Sequence, residues 1–598
     1  MLADILAQLQ KQASAGESGV AAAFELNWQS LEPEAQKLAC LLSLFALAPI
    51  PWSLVESAAS SSDLELDLKA NRTVLVERYL LQELAEDTYQ IHERIRELLQ
   101  QKLEDLAEAD ELKRGYCQAM VAVAKDIPQT PTLIEIVQAT LAIPHLGEAA
   151  TVYQAWLSDD DLISPFSGLA RFYEGQGAYV QALPWREQCL SSARKRFGDE
   201  HPNVATNLNN LAGLYHLQGR YSDAEPLYIQ ALAMKKRLLA DEHPSVTTSL
   251  HDLATLYNLQ GRYSDAEPLY IKALEMRKRL LGEEHPSVAD SLNYLAVLYY
   301  SQGRYSDAEP LYIKALEMRK RLLGEEHPSV ANSLNDLAVL YYSQGKYSDA
   351  EPLYIKALEM YKRLLGDEHP NVATNLNNLA GLYNSQGRYS DAEPLYIQAL
   401  DIYKHLLGDE HPDVATNLNN LAGLYNSQGR YSDAEPLYIQ ALEMKKRLLG
   451  DKHPSVATSL NDLAGLYNLQ GRYSDAEPLY IQALEMRKRL LGEEHPSVAT
   501  NLNNLAVLYD SQGRYSDAEP LYIKALEMYK RLLWDEHPDM LTSLNNLAAL
   551  YDDQGRYSDA EPLYIQALEI AVQRLGANHP NTISIRKSLE SLRRNLQP

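Results

Sequence analysis

The dipeptide His-Pro recurs at His201, His243, His285, His327, His369, His411, His453, His495, His537 and His579, each step 42 residues long. A period of this size, held in one unbroken register, marks a solenoid whose units bury their apolar faces only against their neighbours. The register overrides the roughly four independent domains that 598 residues suggest at about 150 residues each. It also explains an odd composition, 39 Tyr against 5 Phe. Each of the nine complete repeats places three tyrosines, beginning with Tyr215, Tyr221 and Tyr228.

Within the first repeat, Leu208, Leu211, Ala212 and Tyr215 fall at i, i+3, i+4 and i+7, one face of a helix. Gly219 ends that helix in a tight turn. Ser222-Asp223-Ala224-Glu225 has the spacing of a capping box, with Pro226 in or near the first turn. Ala224, Leu227, Tyr228, Ala231 and Leu232 form the inward stripe of a second helix. A Gly, or Ala240 in this repeat, then opens the loop to the next His-Pro, where Pro suits the first helical position and His sits near the cap.

Leu211-Ala212-x-x-Tyr215, Gly219, Tyr221, Ala224, Tyr228 and Ala231 resemble the tetratricopeptide pattern. The 42-residue length and the Asp-Glu-His-Pro loop resemble the kinesin-light-chain type, over roughly 162–598. Leu169–Tyr179 aligns one period upstream as a degenerate repeat. Asn581–Asn595 reads as a polar C-terminal capping helix. The expected fold is all-α: a right-handed tetratricopeptide superhelix of about ten helix-turn-helix repeats behind a small N-terminal winged-helix and helical domain. The expected boundaries are 1–104 (winged-helix-like), 105–161 (helical connector), 162–200 (degenerate repeat), 201–578 (nine repeats) and 579–598 (cap).

The first 161 residues lack the period and carry a net −15 of the chain's −26. An apolar-rich helix is expected over Glu32–Ala48, a strand or helix start at Asp63–Leu68, a hairpin over Leu80–His92 and a helix over Arg94–Leu106. The string Ala23-Phe24-Glu25-Leu26-Asn27-Trp28, with Ile50-Pro51-Trp52, resembles the winged-helix part of STAND ATPases of the NB-ARC type. In that family a Met-His-Asp triplet contacts nucleotide. Here it reads Ile91-His92-Glu93, and no Gly-x-x-x-x-Gly-Lys-Ser/Thr loop occurs to cradle phosphates. The acidity of this region and its few Lys and Arg disfavour nucleic acid.

Three scattered cysteines, Cys40, Cys117 and Cys189, exclude a disulfide scaffold and fit a reducing compartment. Asp4 stands where a signal peptide would carry Lys or Arg, and the apolar stretch Leu38–Trp52, broken by Pro49 and Pro51, is too short to span a bilayer. A cytoplasmic location with no membrane partner is therefore expected. The periodic histidines lie one per repeat, whereas a zinc site needs three or four converging ligands. Lys235-Lys236-Arg237 ends a helix where cations complement the dipole. Neither catalysis, nor a cofactor, nor a metal is expected.

In tetratricopeptide proteins the first helices line a concave groove, and the resemblance implies the same here. One row of that face reads Asn209, His251, Asn293, Asn335, Asn377, Asn419, Asn461, Asn503 and Asn545. The next reads Asn210, Asp252, Tyr294, Asp336, Asn378, Asn420, Asp462, Asn504 and Asn546. Asn is a poor helix former, so two per helix costs stability. Its amide can pair with an extended peptide backbone of any sequence. It can equally tie neighbouring repeats together, and sequence leaves both readings open. The expected role is a protein–protein scaffold or sensor that holds extended peptides, the alternative being a regulatory or sensor part of a STAND-type (NB-ARC) signalling ATPase whose nucleotide-binding module is missing or separate. The first helices supply Asp252, Asp290, Asp336, Asp462, Asp510, Asp552 and Asp553 and no Lys or Arg. A neutral or basic peptide is the expected partner.

Overall fold

The computed structural model describes residues 17–62, 67–129, 131–532, 538–577 and 579–596. The chain divides into two compact units, residues 1–199 and 200–598. No helix among the described residues is long and apolar enough to cross a membrane. The expectations at the extreme N-terminus and at residues 63–66 lie outside the described residues.

The N-terminal unit begins with helices α1 (Glu17–Gln29) and α2 (Pro33–Leu42). The second is shorter than expected, because Ser43–Ala46 turns instead of continuing. After β1 (Ile50–Pro51) come α3 (Trp52–Ser60) and α4 (Leu68–Glu77), the latter capped by Asp67 accepting from the Ala70 N–H at 3.0 Å. The hairpin β2 (Gln82–Ala85) and β3 (Thr88–Gln90) completes a three-stranded antiparallel sheet, order β1-β3-β2, with Ile50 opposite Tyr89. Asp87, in the turn at φ 52°, makes this hairpin possible. Helices α5 (Glu93–Glu104), α6 (Ala109–Asp126), α7 (Leu133–Thr140), α8 (Ile143–Thr151), α9 (Ser164–Glu174) and α10 (Tyr179–Phe197) follow. One core unites them, including Phe45, Trp52, Tyr89 and Tyr116.

From His201 onward the repeat sets the structure. The first helices run Pro202–Leu217, Pro244–Leu259 and so on to Pro538–Asp553; the second run Tyr221–Leu239, Tyr263–Leu281 and so on to Tyr557–Leu575. Pro580–Leu596 closes the array. At each described first-helix start the His Nδ1 accepts the backbone N–H two residues on, as from Asn203 at 3.1 Å, and Pro occupies the first turn. The capping box does not form: the second helix begins at Tyr221, so Ser222 already lies inside it. Arg220 instead donates to Asp223 at 2.7 Å and its guanidinium stacks over Tyr215. From the second repeat on, the residue at this position (Lys346 in the fourth repeat, Arg in the others) also bridges back to the preceding repeat, as Arg262 to Glu225 at 2.8 Å.

Ala212, Ala224 and Ala231 are fully buried, so paired helices approach closely, and Leu208, Leu214 and Tyr228 fill the space between. First helices also touch the first helices of the next repeat, as Pro328–Ser343 does Pro370–Ser385, forming an inner layer. The superhelix winds far enough to meet itself. His453 Nε2–H donates to the Leu217 carbonyl at 3.0 Å, and His495 Nε2–H to that of Leu259 at 3.1 Å. Each bond joins the turn of one repeat to the cap of the repeat six further on. Only Gly fits the turn there: Gly219 has φ +67°, and a Cβ would lie 2.2 Å from Pro454 Cδ.

Candidate functional groove

The two asparagine rows lie on the inner layer, half-buried or buried except at Tyr294, which is exposed. They are tied into a ladder between repeats. Asn209 donates to Asp252 at 2.8 Å, Asn293 to Asp336 at 3.0 Å and Asn419 to Asp462 at 2.8 Å. In other repeats the donor is the second-row residue: Asn378 to Asn335 at 3.1 Å, Asn420 to Asn377 at 3.1 Å, Asn504 to Asn461 at 3.0 Å and Asn546 to Asn503 at 3.5 Å. A third row, one turn earlier, adds a rung: Asn375 donates to Asn335, Asn417 to Asn377, and Ser249 to Asn209. Asn210 and Asn545 occupy the same rows at the two ends of the array.

The second helices reach this ladder with side chains that sequence reading had assigned to the helix dipole. Lys235, Arg319 and Lys445 are buried. Lys235 donates to Ser249 at 2.8 Å, Arg319 to Ser333 at 2.6 Å and to Asp290 at 2.7 Å, Lys445 to Ser459 at 3.0 Å. Each of these cations is followed in the next repeat by Asp in the second row: Asp252, Asp336 and Asp462. Where the same register holds Tyr361 or Tyr403, the next repeat carries Asn378 or Asn420 instead. Tyr529 with Asn546 follows the same rule, and Arg277 and Arg487, followed by Tyr294 and Asn504, break it. The reason for the matching is desolvation, since an unpaired buried charge is far costlier than a neutral pair. Burial pushes the Lys445 ammonium down to about 8 against the opposing pull of Asp462. Burial also raises the Asp336 carboxyl, countered by its bond from Asn293 and by Arg319. Four of the seven acids expected to line the first helices, Asp252, Asp290, Asp336 and Asp462, therefore have a second-helix cation beside them, a correction that only the folded proximity of the second helices supplies.

Uncompensated acid collects at the C-terminal end. Asp510 and Asp552 are both raised, first by burial and then by repulsion from Asp553.

Of one further row, sequence reading marks only Asp510 and Asp552. Seven residues after Asn209, on the same helix face, the register reads His216, Asn258, Tyr300, Tyr342, Asn384, Asn426, Asn468, Asp510 and Asp552. The Oδ1 atoms of Asn258, Asn384, Asn426 and Asn468 are buried without a hydrogen-bond partner. The i+7 spacing from the first row was the available signal. In the same row, Tyr300 and Tyr342 share hydrogen bonds with Ser343 and Ser385 of the following repeats, at 2.8 and 2.7 Å.

The histidines do not converge: among the described residues no group of three or more His, Cys, Asp or Glu could hold a metal ion. His92, the remnant of the nucleotide-contacting triplet, caps α5 by accepting from the Arg94 N–H at 3.2 Å.

The tetratricopeptide-repeat family matches residues 161–237, 245–321, 294–363, 341–405, 371–447, 413–488, 455–531 and 540–581. These segments cover more than half of the chain, which belongs to that family. Among solved structures, the chain is similar to a Podosopora anserina protein described as a kinesin light chain with nearly identical TPR-like repeats (28% identity, TM-score 0.30, covering 34% of this chain and 97% of that one). It is also similar to a STAND protein with a tetratricopeptide repeat sensor from Pyrococcus horikoshii (16%, TM-score 0.46, 79% and 66%). A Rap protein complexed with competence and sporulation factor is a third (14%, TM-score 0.40, 66% and 98%). None of the curated proteins matches the chain.

Proposed function

We propose that this chain is a non-enzymatic cytoplasmic scaffold or sensor that holds an extended peptide, neutral or basic, along the inner layer of its superhelix. The observation that carries the reading is a run of acceptors without donors. Asn258, Asn384, Asn426 and Asn468 each bury an unpaired Oδ1. A buried acceptor left unmade costs about 1–3 kcal/mol, so a ligand that brings N–H groups gains what the free protein lacks. In the second row, Asn378, Asn420, Asn504 and Asn546 give Nδ2 to the ladder, which leaves the acceptor Oδ1 of each amide outside these rungs. Ladder and binding site are thus compatible roles of one residue.

The rim arginines are engaged, Arg262 with Glu225, Asp265 and the Tyr257 ring. The inner cations are engaged with hydroxyls and acids. An acidic ligand therefore meets few free positive charges, while Asp510, Asp552 and Asp553 favour a cationic residue at the C-terminal end. The N-terminal region, divided at about residues 104 and 161, is read as a winged-helix remnant and connector working beside a separate nucleotide-binding module. Turnover or saturable nucleotide binding by this chain alone would overturn the non-enzymatic part.

A peptide array on the full chain tests the ligand class, with enrichment of Lys- and Arg-containing or neutral extended peptides expected. Asn384→Ala with Asn426→Ala should weaken the best binders about tenfold, a loss of about 1.4 kcal/mol. Enrichment of Asp- and Glu-rich peptides, or unchanged affinity in the double variant, counts against it.

A further inference from the structure

The contact by which the superhelix meets itself has two sides, and both are repeated elsewhere in the array. On one side lies the turn after a first helix. Its last carbonyl is an orphan acceptor of the helix end, and the Gly beside it leaves room for a ring. On the other lies a His-Pro cap, whose His uses Nδ1 for its own helix and, at His453 and His495, reaches the facing turn with Nε2–H. Within the chain, the caps at His453 and His495 occupy the turns at Leu217–Gly219 and Leu259–Gly261. Further along the array, Gly387, Gly429, Gly471, Gly513 and Gly555 have nothing within 4 Å of where a Cβ would stand.

The open turn of the seventh repeat is the sharpest case. Asn468-Leu469-Gln470-Gly471-Arg472-Tyr473 is identical to Asn258-Leu259-Gln260-Gly261-Arg262-Tyr263, the turn that His495 occupies. Leu259 is 40% exposed where the cap lies against its turn, whereas Leu469 is 60% exposed. The matching cap is also available. Glu283-Glu284-His285-Pro286-Ser287 and Glu325-Glu326-His327-Pro328-Ser329 repeat Glu493-Glu494-His495-Pro496-Ser497. Ser287 and Ser329 donate to His285 and His327 Nδ1 just as Ser497 does to His495, so each cap leaves Nε2–H as the ring donor not used by its own helix.

We propose that a second copy of this chain docks there: His-Pro caps of one molecule's early repeats bind the open turns of another's late repeats, through the contact already made within each chain. The two surfaces differ, so the interface is heterologous. Such a contact does not close on itself and propagates head to tail. Each added molecule presents a fresh row of open turns.

Sedimentation velocity on the full chain, from about 1 to about 200 μM, reads this directly by mass action. The wild type should sediment progressively faster with concentration and pass beyond a dimer. Leu469→Asp should weaken association about tenfold by placing a carboxylate against the Glu-Glu of the incoming cap. Asp553 already holds this register in the ninth repeat, so the fold tolerates it. His285→Asn with His327→Asn should weaken it similarly, because Asn still caps the helix but is too short to reach a facing carbonyl. Circular dichroism and thermal unfolding of each variant check that the fold is kept. A wild type that stays monomeric throughout, a plateau at dimer, or folded variants that associate like the wild type would each overturn the proposal.

Discussion

At Ala240 the backbone sits at φ 73°, ψ 156°. That region is essentially restricted to glycine and costs other residues on the order of 1–3 kcal/mol. The corresponding positions hold Gly282, Gly324, Gly366, Gly408 and Gly450 at φ between 84° and 90°. No atom crowds the Cβ position at Gly282 or Gly324, so the strain at Ala240 is in its own backbone and not in its neighbours. Ala240→Gly should therefore stabilise the junction between the first two repeats by about 1 kcal/mol, after the extra chain entropy of Gly is subtracted. Slower hydrogen exchange over residues 236–246 is the expected readout; faster exchange would show that the strain is not there. The substitution in the 42-residue register was plain in the sequence, but its cost was not, since it depends on a dihedral angle.

Single elements in the N-terminal unit are held by His145. It lies fully buried in α8, accepts the Ala46 N–H on Nδ1 at 3.0 Å and donates from Nε2 to the Pro49 carbonyl at 3.0 Å. These bonds fix the segment between α2 and β1, and they need the neutral ring. Burial pushes the imidazole down to about 4 from its ordinary 6.5. The unfolded chain takes up its proton first, so stability is complete above pH 6.5, declines as pH falls below it, and stops declining near pH 4. The slope is about 1.4 kcal/mol per pH unit for one proton. Hydrogen exchange over residues 43–50 should quicken between pH 6.5 and 5 in the wild type. In His145→Gln, whose amide does not titrate, that acid-driven change should be lost; an identical change in both would remove His145 as its cause. Nothing in the sequence around His145 marks it, because both its partners lie almost a hundred residues earlier.

Along the whole repeat array, stability is a sum of local terms. Leu376 is 1% exposed and belongs to a cluster running from Ala296 to Met444, within four consecutive repeats. Leu376→Ala should cost about 2–5 kcal/mol by leaving a cavity. Hydrogen exchange should quicken over roughly 335–440 and stay unchanged near 210 and 560. End-to-end loosening would mean that the bonds six repeats apart make the array one cooperative body.

The sequence by itself determined the helices of the array, their turns and their stacking order. Each depends on contacts inside one period or with the next, and the period prints the same local instructions nine times. Tertiary structure alone decided what those instructions do when coiled. Cations of the second helices end beside Asp252, Asp336 and Asp462 of the next first helix, so a groove that reads as acidic throughout is offset there and stays acidic at its C-terminal end. Asparagines whose role sequence leaves open give their amide N–H to a ladder between repeats, and a row seven residues on holds buried unpaired acceptors. The caps and turns six repeats apart meet because small rotations between identical neighbours accumulate into a full superhelical turn, a sum that no single repeat contains.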